Sequence, residues 1–546
     1  MRCHIFCNLL SLALGATIAF GTGCARRGMT SDPMQISEQG DSIVLSYNSP
    51  ARAAAKQILE RGGNAFDAYV AATFVEYVIA PGVTSMAGPL STLIYEQSSG
   101  RVRYLDGDFN AVRDPQGAWS PDDSSAGKAV LIPGAVKALE MIANDCGNLP
   151  FSDLLLPAIQ LAKEGFRIDA TYAAIVTYRQ SVLLVSSYGR ETYFDSNSQP
   201  LSVGALQRQP SVARFLEQLA QNGSEYMYRG DWAVRAVQTI DAAGGRATAA
   251  DFDTYRSTWV EPRLSDYRGY SIYGAPGRSI GGLHSMLGLK VLELAPFSTA
   301  KHFSTDPNGL ELLVRISRYM YGTISNFTLE QLDYPGEIDR WFTAPYVQEM
   351  WRQISTQHEV AQGSTLRGSH SFHIIVADKW GNVVTGTNTI NSLPWGDGLF
   401  VDGIALNAGG KVALKSRAGE RTTSDRAMHI VFKDNQFVMA TGAFNSSLMP
   451  ANFQFLINAL DYKLEPLEAV SKPRFGGFPL DFDTLAVDAS KNYLDPRIPR
   501  PVIDELNRRG LQFQIAGHID TGDGGIAIRM PNGSYSGAYS PSYLER

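Results

Sequence analysis

Along the 546 residues, the spacing of apolar positions changes character near residue 371. From Ser152 to about Leu292 apolar residues recur at helical intervals, interrupted by Gly223, Gly230 and Gly244-Gly245. Beyond residue 371 the pattern becomes short β-rich runs: 372–377, 383–387, 429–432 and 437–440, punctuated by Gly-Asn and Asp-Asn turns. Further helices are expected over 50–60, opened by Pro50 and stopped by Gly62-Gly63, and over 65–78, 452–460 and 501–509. A hairpin is expected from 93–95 and 102–105. Strands flanked by helices without strict alternation predict sheets covered by helical layers.

The amino terminus is a separate unit. Arg2 precedes an apolar run from Ile5 to Phe20, and Gly21-Thr22-Gly23-Cys24-Ala25 follows. Such a segment, short for a membrane span, reads as a secretory signal over 1–24, with a linker over 25–45. Small residues before Cys24 leave two readings open. The protein is exported to the periplasm, or it is a lipoprotein held at a membrane through a lipidated Cys24. Of the four cysteines only Cys146 would remain inside a chain that starts at Cys24, so no internal disulfide could form. A net charge of −6, from 48 basic and 54 acidic residues mixed along the chain, gives no nucleic-acid surface.

Several blocks then carry a resemblance. Gly62-Gly63-Asn64-Ala65-Phe66-Asp67-Ala68, Ile132-Pro133-Gly134, Leu154 to Phe166, Gly244-Gly245 with Asp251 and Tyr255, Tyr267 to Tyr270, and Lys472-Pro473-Arg474-Phe475 occur in order. Together they resemble the γ-glutamyltransferase (γ-glutamyl transpeptidase) family over roughly Ser46 to Pro541. The resemblance implies a four-layer αββα fold of the N-terminal-nucleophile hydrolase type. It also implies a precursor that cuts itself, freeing the nucleophile at a new amino terminus. The family's nucleophile block is matched by Ser371-Phe372-His373-Ile374-Ile375-Val376-Ala377-Asp378 with Gly381-Asn382, so the nucleophile falls on Ser371, a Ser where the family has Thr. The cut would divide a heavy-chain-like portion, 46–370, from a light-chain-like portion, 371–546, which stay associated within one domain. A hydroxyl beside its own α-amine is a nucleophile with its base attached, since that amine titrates near neutrality. Thr389 and Asn391 match supporting positions of the family's TxTxN run.

The glutamate-binding positions are altered. The Arg that would pair the α-carboxylate falls on Asp108, and the Asp that would pair the α-amine falls on Val412. A serine pair becomes Ser424 and Asp425, and the two oxyanion glycines become Asn445 and Ser446. Losing buried charge partners costs several kcal/mol, so glutathione-type activity is not expected. Phe109, Phe372, Phe444 and Trp395 fall where the family has polar or small residues. They either favour a larger apolar acyl group or fill the vacated space.

The expected function is therefore an exported amidohydrolase or acylase acting on a small-molecule or peptide amide, with a pocket rebuilt away from γ-glutamyl. Two alternatives stay open: an inactive relic that binds or scaffolds, and a specialised-metabolite enzyme cleaving another bond. A serine-esterase reading rests on Gly277-Arg278-Ser279-Ile280-Gly281, which matches GxSxG between a strand-like and a helix-like run. Against it, Pro276 lies in the approach, and the resemblance places an ordinary turn there. No metal is expected: HExxH is absent, and His370 and His373 would face opposite sides of a strand. No Walker or dinucleotide glycine loop points to a cofactor.

Overall fold

The computed structural model describes residues 36–114, 119–120, 125–325, 336–356, 371–414, 416–479, 488–516 and 521–540. Residues 1–24, read above as an export signal, and His370, the residue before the expected cut, lie outside them.

Two antiparallel sheets face each other. The first runs in the order Ile43–Leu45, Ser371–Ala377, Val383–Thr389, Leu90–Glu96, Arg101–Gly107, Thr258–Val260. The second runs Ser37–Gly40, Tyr535–Tyr539, Asp523–Arg529, Gln436–Phe444, Ala427–Lys433, Tyr270–Gly274, Arg263–Tyr267. Strands from beyond residue 371 hold adjacent interior places in both sheets, and strands from before it flank them. Neither portion completes a sheet alone.

Side-chain alternation sets the layers. Ile375 and Ala377 enter the apolar space between the sheets with Leu93, Met428, Ile430 and Ala440. Ile374 and Val376 point the other way, into a core with helices Ser49–Glu60, Ala65–Ile79, Ala135–Cys146 and Phe151–Glu164. On the far side Val431, Met439 and Ile526 meet helices Ile280–Leu294, Pro307–Ser325 and Leu448–Leu460. This is the αββα sandwich expected from the sequence.

The helix and hairpin expectations hold with shifts of a few residues at their ends. Three differences matter. The stretch 152–292 also contains the strands Thr258–Val260 and Arg263–Tyr267. The stretch 25–45, read as a linker, enters the sheets from Ser37 onward: Ile43–Leu45 pairs with Ala377–Ile375, and Ser37–Gly40 with Tyr535–Ala538. The strands Asp523–Arg529 and Tyr535–Tyr539 were not foreseen.

The sequence blocks explain themselves as joints. Asn64 caps helix Ala65–Ile79 in a reciprocal box with Asp67. Asp67 also accepts from the N–H groups of Asn148 and Leu149. The Ala65 N–H donates to Asp378 Oδ2 at 2.8 Å, and Asp378 further accepts from Trp380 and Asn382. The motif that opens the second helix is thus tied to the turn that ends the Ser371 strand. Arg474, buried, donates to the carbonyls of Val470 and Gly522, which fixes the last helical layer.

Candidate active site

Ser371 is the first residue of its strand and lies opposite Thr389 in the ladder. Its hydroxyl donates to Thr389 Oγ1 at 2.9 Å, and the Asn391 N–H donates to the same oxygen at 2.9 Å. Asn391 follows the strand in a left-handed conformation, φ 60°. Asn tolerates that region better than most residues. Two positions further along the same face, His373 is fully buried between Thr387 and Thr385, with ring-to-hydroxyl distances of 2.8 and 2.7 Å. Burial pulls its pKa down to about 3, which holds the imidazole neutral. Both its nitrogens are occupied, so it offers Ser371 no base. A Cβ at Gly442, on the facing sheet, would overlap the His373 ring, so only glycine fits there.

Asp108 stands just beyond strand Arg101–Gly107, buried, with Oδ2 accepting from Ser91 at 2.9 Å. Burial pushes its carboxyl above the usual range, an effect opposed chiefly by Arg426. The Arg426 guanidinium, only 4% exposed, lies 3.5 Å from Asp108 through Nη2 and 2.7 Å from Asp425 through Nη1. The same Nη1 donates to Asn391 Oδ1 at 3.3 Å. A continuous line of contacts therefore runs from Ser371 through Thr389, Asn391 and Arg426 to Asp425 and Asp108. Arg426, just before strand Ala427–Lys433, reaches Asp108 from the opposite sheet.

The turn after strand Gln436–Phe444 supplies the other wall. Asn445 is left-handed, φ 69°, and its Nδ2 donates to Asp523 Oδ2 at 2.8 Å. That commits one of its side-chain hydrogens. Phe444 packs edge-on against Tyr47 and lies 6.2 Å, centroid to centroid, from Phe372. Ser424 is buried, its hydroxyl 3.3 Å from that of Ser279.

Family membership follows from a direct match: the family model described as gamma-glutamyltranspeptidase aligns with residues 51–542. The chain belongs to the gamma-glutamyltranspeptidase family. Glutathione hydrolase proenzyme of Bacillus subtilis (strain 168) is 26% identical, over 93% of this chain and 91% of that protein. Acylase ACY 1 proenzyme of Pseudomonas sp. (strain V22) is 27% identical, over 91% of each. The crystal structure of cephalosporin acylase from Bacillus halodurans superposes with a TM-score of 0.80 at 23% identity, covering 94% of this chain and 96% of that one. The chain is thus a hydrolase of the gamma-glutamyltranspeptidase family, with the N-terminal-nucleophile fold.

Within that family frame, several readings of the sequence sort themselves. Trp395 is fully buried in a separate aromatic cluster and donates to Tyr193, and Phe109 is buried against Gly409. Both are packed into the interior. The GxSxG segment is a joint: Ser279 has φ −87°, ψ 92°, without the strained turn of a nucleophile elbow, and it pairs with Ser424. Among the described residues no cluster of His, Cys, Asp or Glu could hold a metal ion. Sequence reasoning did not single out Arg426. The available signal was the basic residue two places after Ser424, set against an acid at position 108 where the family has a base.

Proposed function

We propose that this chain is an exported amidohydrolase or acylase that cuts itself before Ser371 and then uses Ser371 as nucleophile on a non-glutamyl amide. The observation that carries the reading is the setting of Ser371: buried at the start of an interior strand, its hydroxyl 2.9 Å from Thr389. Self-cleavage begins when Oγ attacks the carbonyl carbon of residue 370. The C–N bond breaks, nitrogen takes the proton, and an ester to Oγ remains. Water hydrolyses that ester, leaving a carboxylate at residue 370 and a free α-amine on Ser371. In turnover the amine accepts the Oγ proton as Oγ attacks the substrate carbonyl, and it delivers that proton to the departing amine. The backbone N–H groups of Asn445 and Ser446 face the developing oxyanion. Water then releases the acid and restores Ser371. Thr389, accepting from Ser371 and Asn391, holds the hydroxyl in place. The relatives named as proenzymes support processing into two fragments, which the shared sheets would keep together.

Pocket identity follows from Asp108, Asn391, Ser424, Asp425 and Phe444, which replace or flank the positions that hold glutamate. Export, and membrane attachment through a lipidated Cys24, belong to the same proposal and rest on Arg2 and the apolar run before Cys24. The test is a panel of acyl p-nitroanilides given to the purified protein and to Ser371→Ala. Expected is nitroaniline release from a non-glutamyl donor that depends on Ser371, with γ-L-glutamyl p-nitroanilide about a hundredfold poorer, the size of a lost buried charge partner. A γ-glutamyl donor that ranks first would refute the rebuilt pocket. Equal inactivity of both proteins on every donor would make the chain a relic.

A further inference from the structure

Nine described residues other than glycine have a positive φ, and of these only Trp395 and Asn445 are buried. A left-handed backbone on a residue with a side chain costs energy, and it persists only where the surroundings over-determine it. At Asn445, φ 69°, those surroundings come from the far end of the chain. Its Nδ2 donates to Oδ2 of Asp523, a fully buried carboxylate that lies opposite Phe444 in the ladder. The neighbouring Gly522, φ 85°, comes so close that a Cβ there would lie 2.7 Å from the Ser447 carbonyl oxygen. Arg474 fixes Gly522 in turn, with Nη2 donating to its carbonyl at 2.6 Å. Residues 522 and 523 therefore back the turn 445–447 from behind.

That turn stands at the Ser371 end of the sandwich. A Cβ at Gly442 would overlap the His373 ring, and from these two facing residues both strands run to the same end, one to Ser371 and the other to Phe444. The Phe444 ring lies 6.2 Å from that of Phe372, the residue after Ser371. The turn joins strand Gln436–Phe444 to helix Leu448–Leu460, so its φ/ψ values decide where the backbone N–H groups of 445 and 446 point.

We propose that Asp523 is a positioning residue for catalysis: by accepting the Asn445 side-chain hydrogen, it holds the 445–446 turn in the conformation that aims its backbone N–H groups at the oxyanion. This rests on the proposed role of Ser371 and adds a dependence peculiar to asparagine at position 445. A glycine would take the left-handed conformation unaided and would need no carboxylate behind it. Asparagine has to be held there, and Asp523 holds it through the one atom, Nδ2, that glycine lacks.

The test measures hydrolysis of p-nitrophenyl acetate, an activated ester whose acyl group is too small to need a built pocket, by the full-length processed protein and by Ser371→Ala. Asp523→Ala removes the acceptor and should lower kcat about tenfold or more, with KM within about twofold. Asp523→Asn keeps an oxygen that can accept from Asn445 and should stay within about threefold of the wild type. In an Asn445→Gly background, whatever its own rate, the further change Asp523→Ala should cost less than about twofold, because the two residues act as one unit. Where Asp523→Ala yields too little folded protein by melting curve, Asp523→Leu fills the volume without accepting and takes its place. A purely structural role for Asp523 predicts the same loss in both backgrounds. That result, a loss confined to KM, or an Asp523→Ala rate within twofold of the wild type overturns the proposal and leaves the Ser371 reading intact. Ester hydrolysis by the wild type no faster than by Ser371→Ala overturns both.

Discussion

Thr389 stands at the hinge of the site because one oxygen serves two donors. Ser371 Oγ–H and the Asn391 N–H both end on Thr389 Oγ1. Thr389→Val keeps the shape and removes both bonds. Cutting before Ser371 should slow by about a hundredfold, the cost of a small misplacement of a reacting group, while the melting temperature falls only modestly. Timed denaturing gels give the rate, and an unchanged rate would remove Thr389 from the machinery. Ser371 and Thr389 were legible in the sequence because one strand pair carries both, in a block with fixed spacing. The pairing of Arg426 with Asp108 was not legible. The fold brings Asp108 to it from a different sheet, and no local pattern links the two.

The elements around the site are locked by buried carboxylates more than by helix propensity. Asp378 ends the Ser371 strand and accepts four donors: the N–H groups of Ala65, Trp380 and Asn382, and the Asn382 side chain. Asp378→Ala orphans all of them and should destabilise the protein by about 3 kcal/mol or more, read from urea unfolding. A loss below about 1 kcal/mol would mean that the two motifs are not mechanically joined. Long periodic helices such as Ala65–Ile79 were readable because a cap, a stop and an apolar face agreed. The strands Asp523–Arg529 and Tyr535–Tyr539 were not. Gly524-Gly525 looks like a turn signal, but a Cβ on Gly524 would overlap the Gly442 carbonyl, so the glycine marks a close approach between strands.

On the scale of the whole molecule, buried titrating groups shape the response to acid. Burial lowers His284 and His373 to about 3 and His429 to about 4, against 6.5 when unfolded. Between those values the unfolded chain binds more protons, so stability falls as pH falls, by up to about 1.4 kcal/mol per pH unit for each histidine. Glu76 works in the opposite direction. Burial raises it to about 7 from 4.5, so across that span the native state holds the extra proton and stability falls as pH rises. The two effects oppose each other between pH 4.5 and 6.5, and the histidines act without Glu76 below 4.5. Three histidines outweigh one glutamate, so urea midpoints should fall throughout from pH 6.5 to 3.5; a level midpoint over that range would contradict this account. The same architecture, in which strands from after residue 371 are flanked on both sides by strands from before it, lets one peptide bond break without the molecule separating. That bond is the most direct test of the central claim. Intact mass and amino-terminal sequencing should find a fragment beginning at Ser371, co-eluting with its heavier partner on native size exclusion and absent from Ser371→Ala. A single uncut chain after prolonged incubation, or cutting that persists in Ser371→Ala, would contradict it.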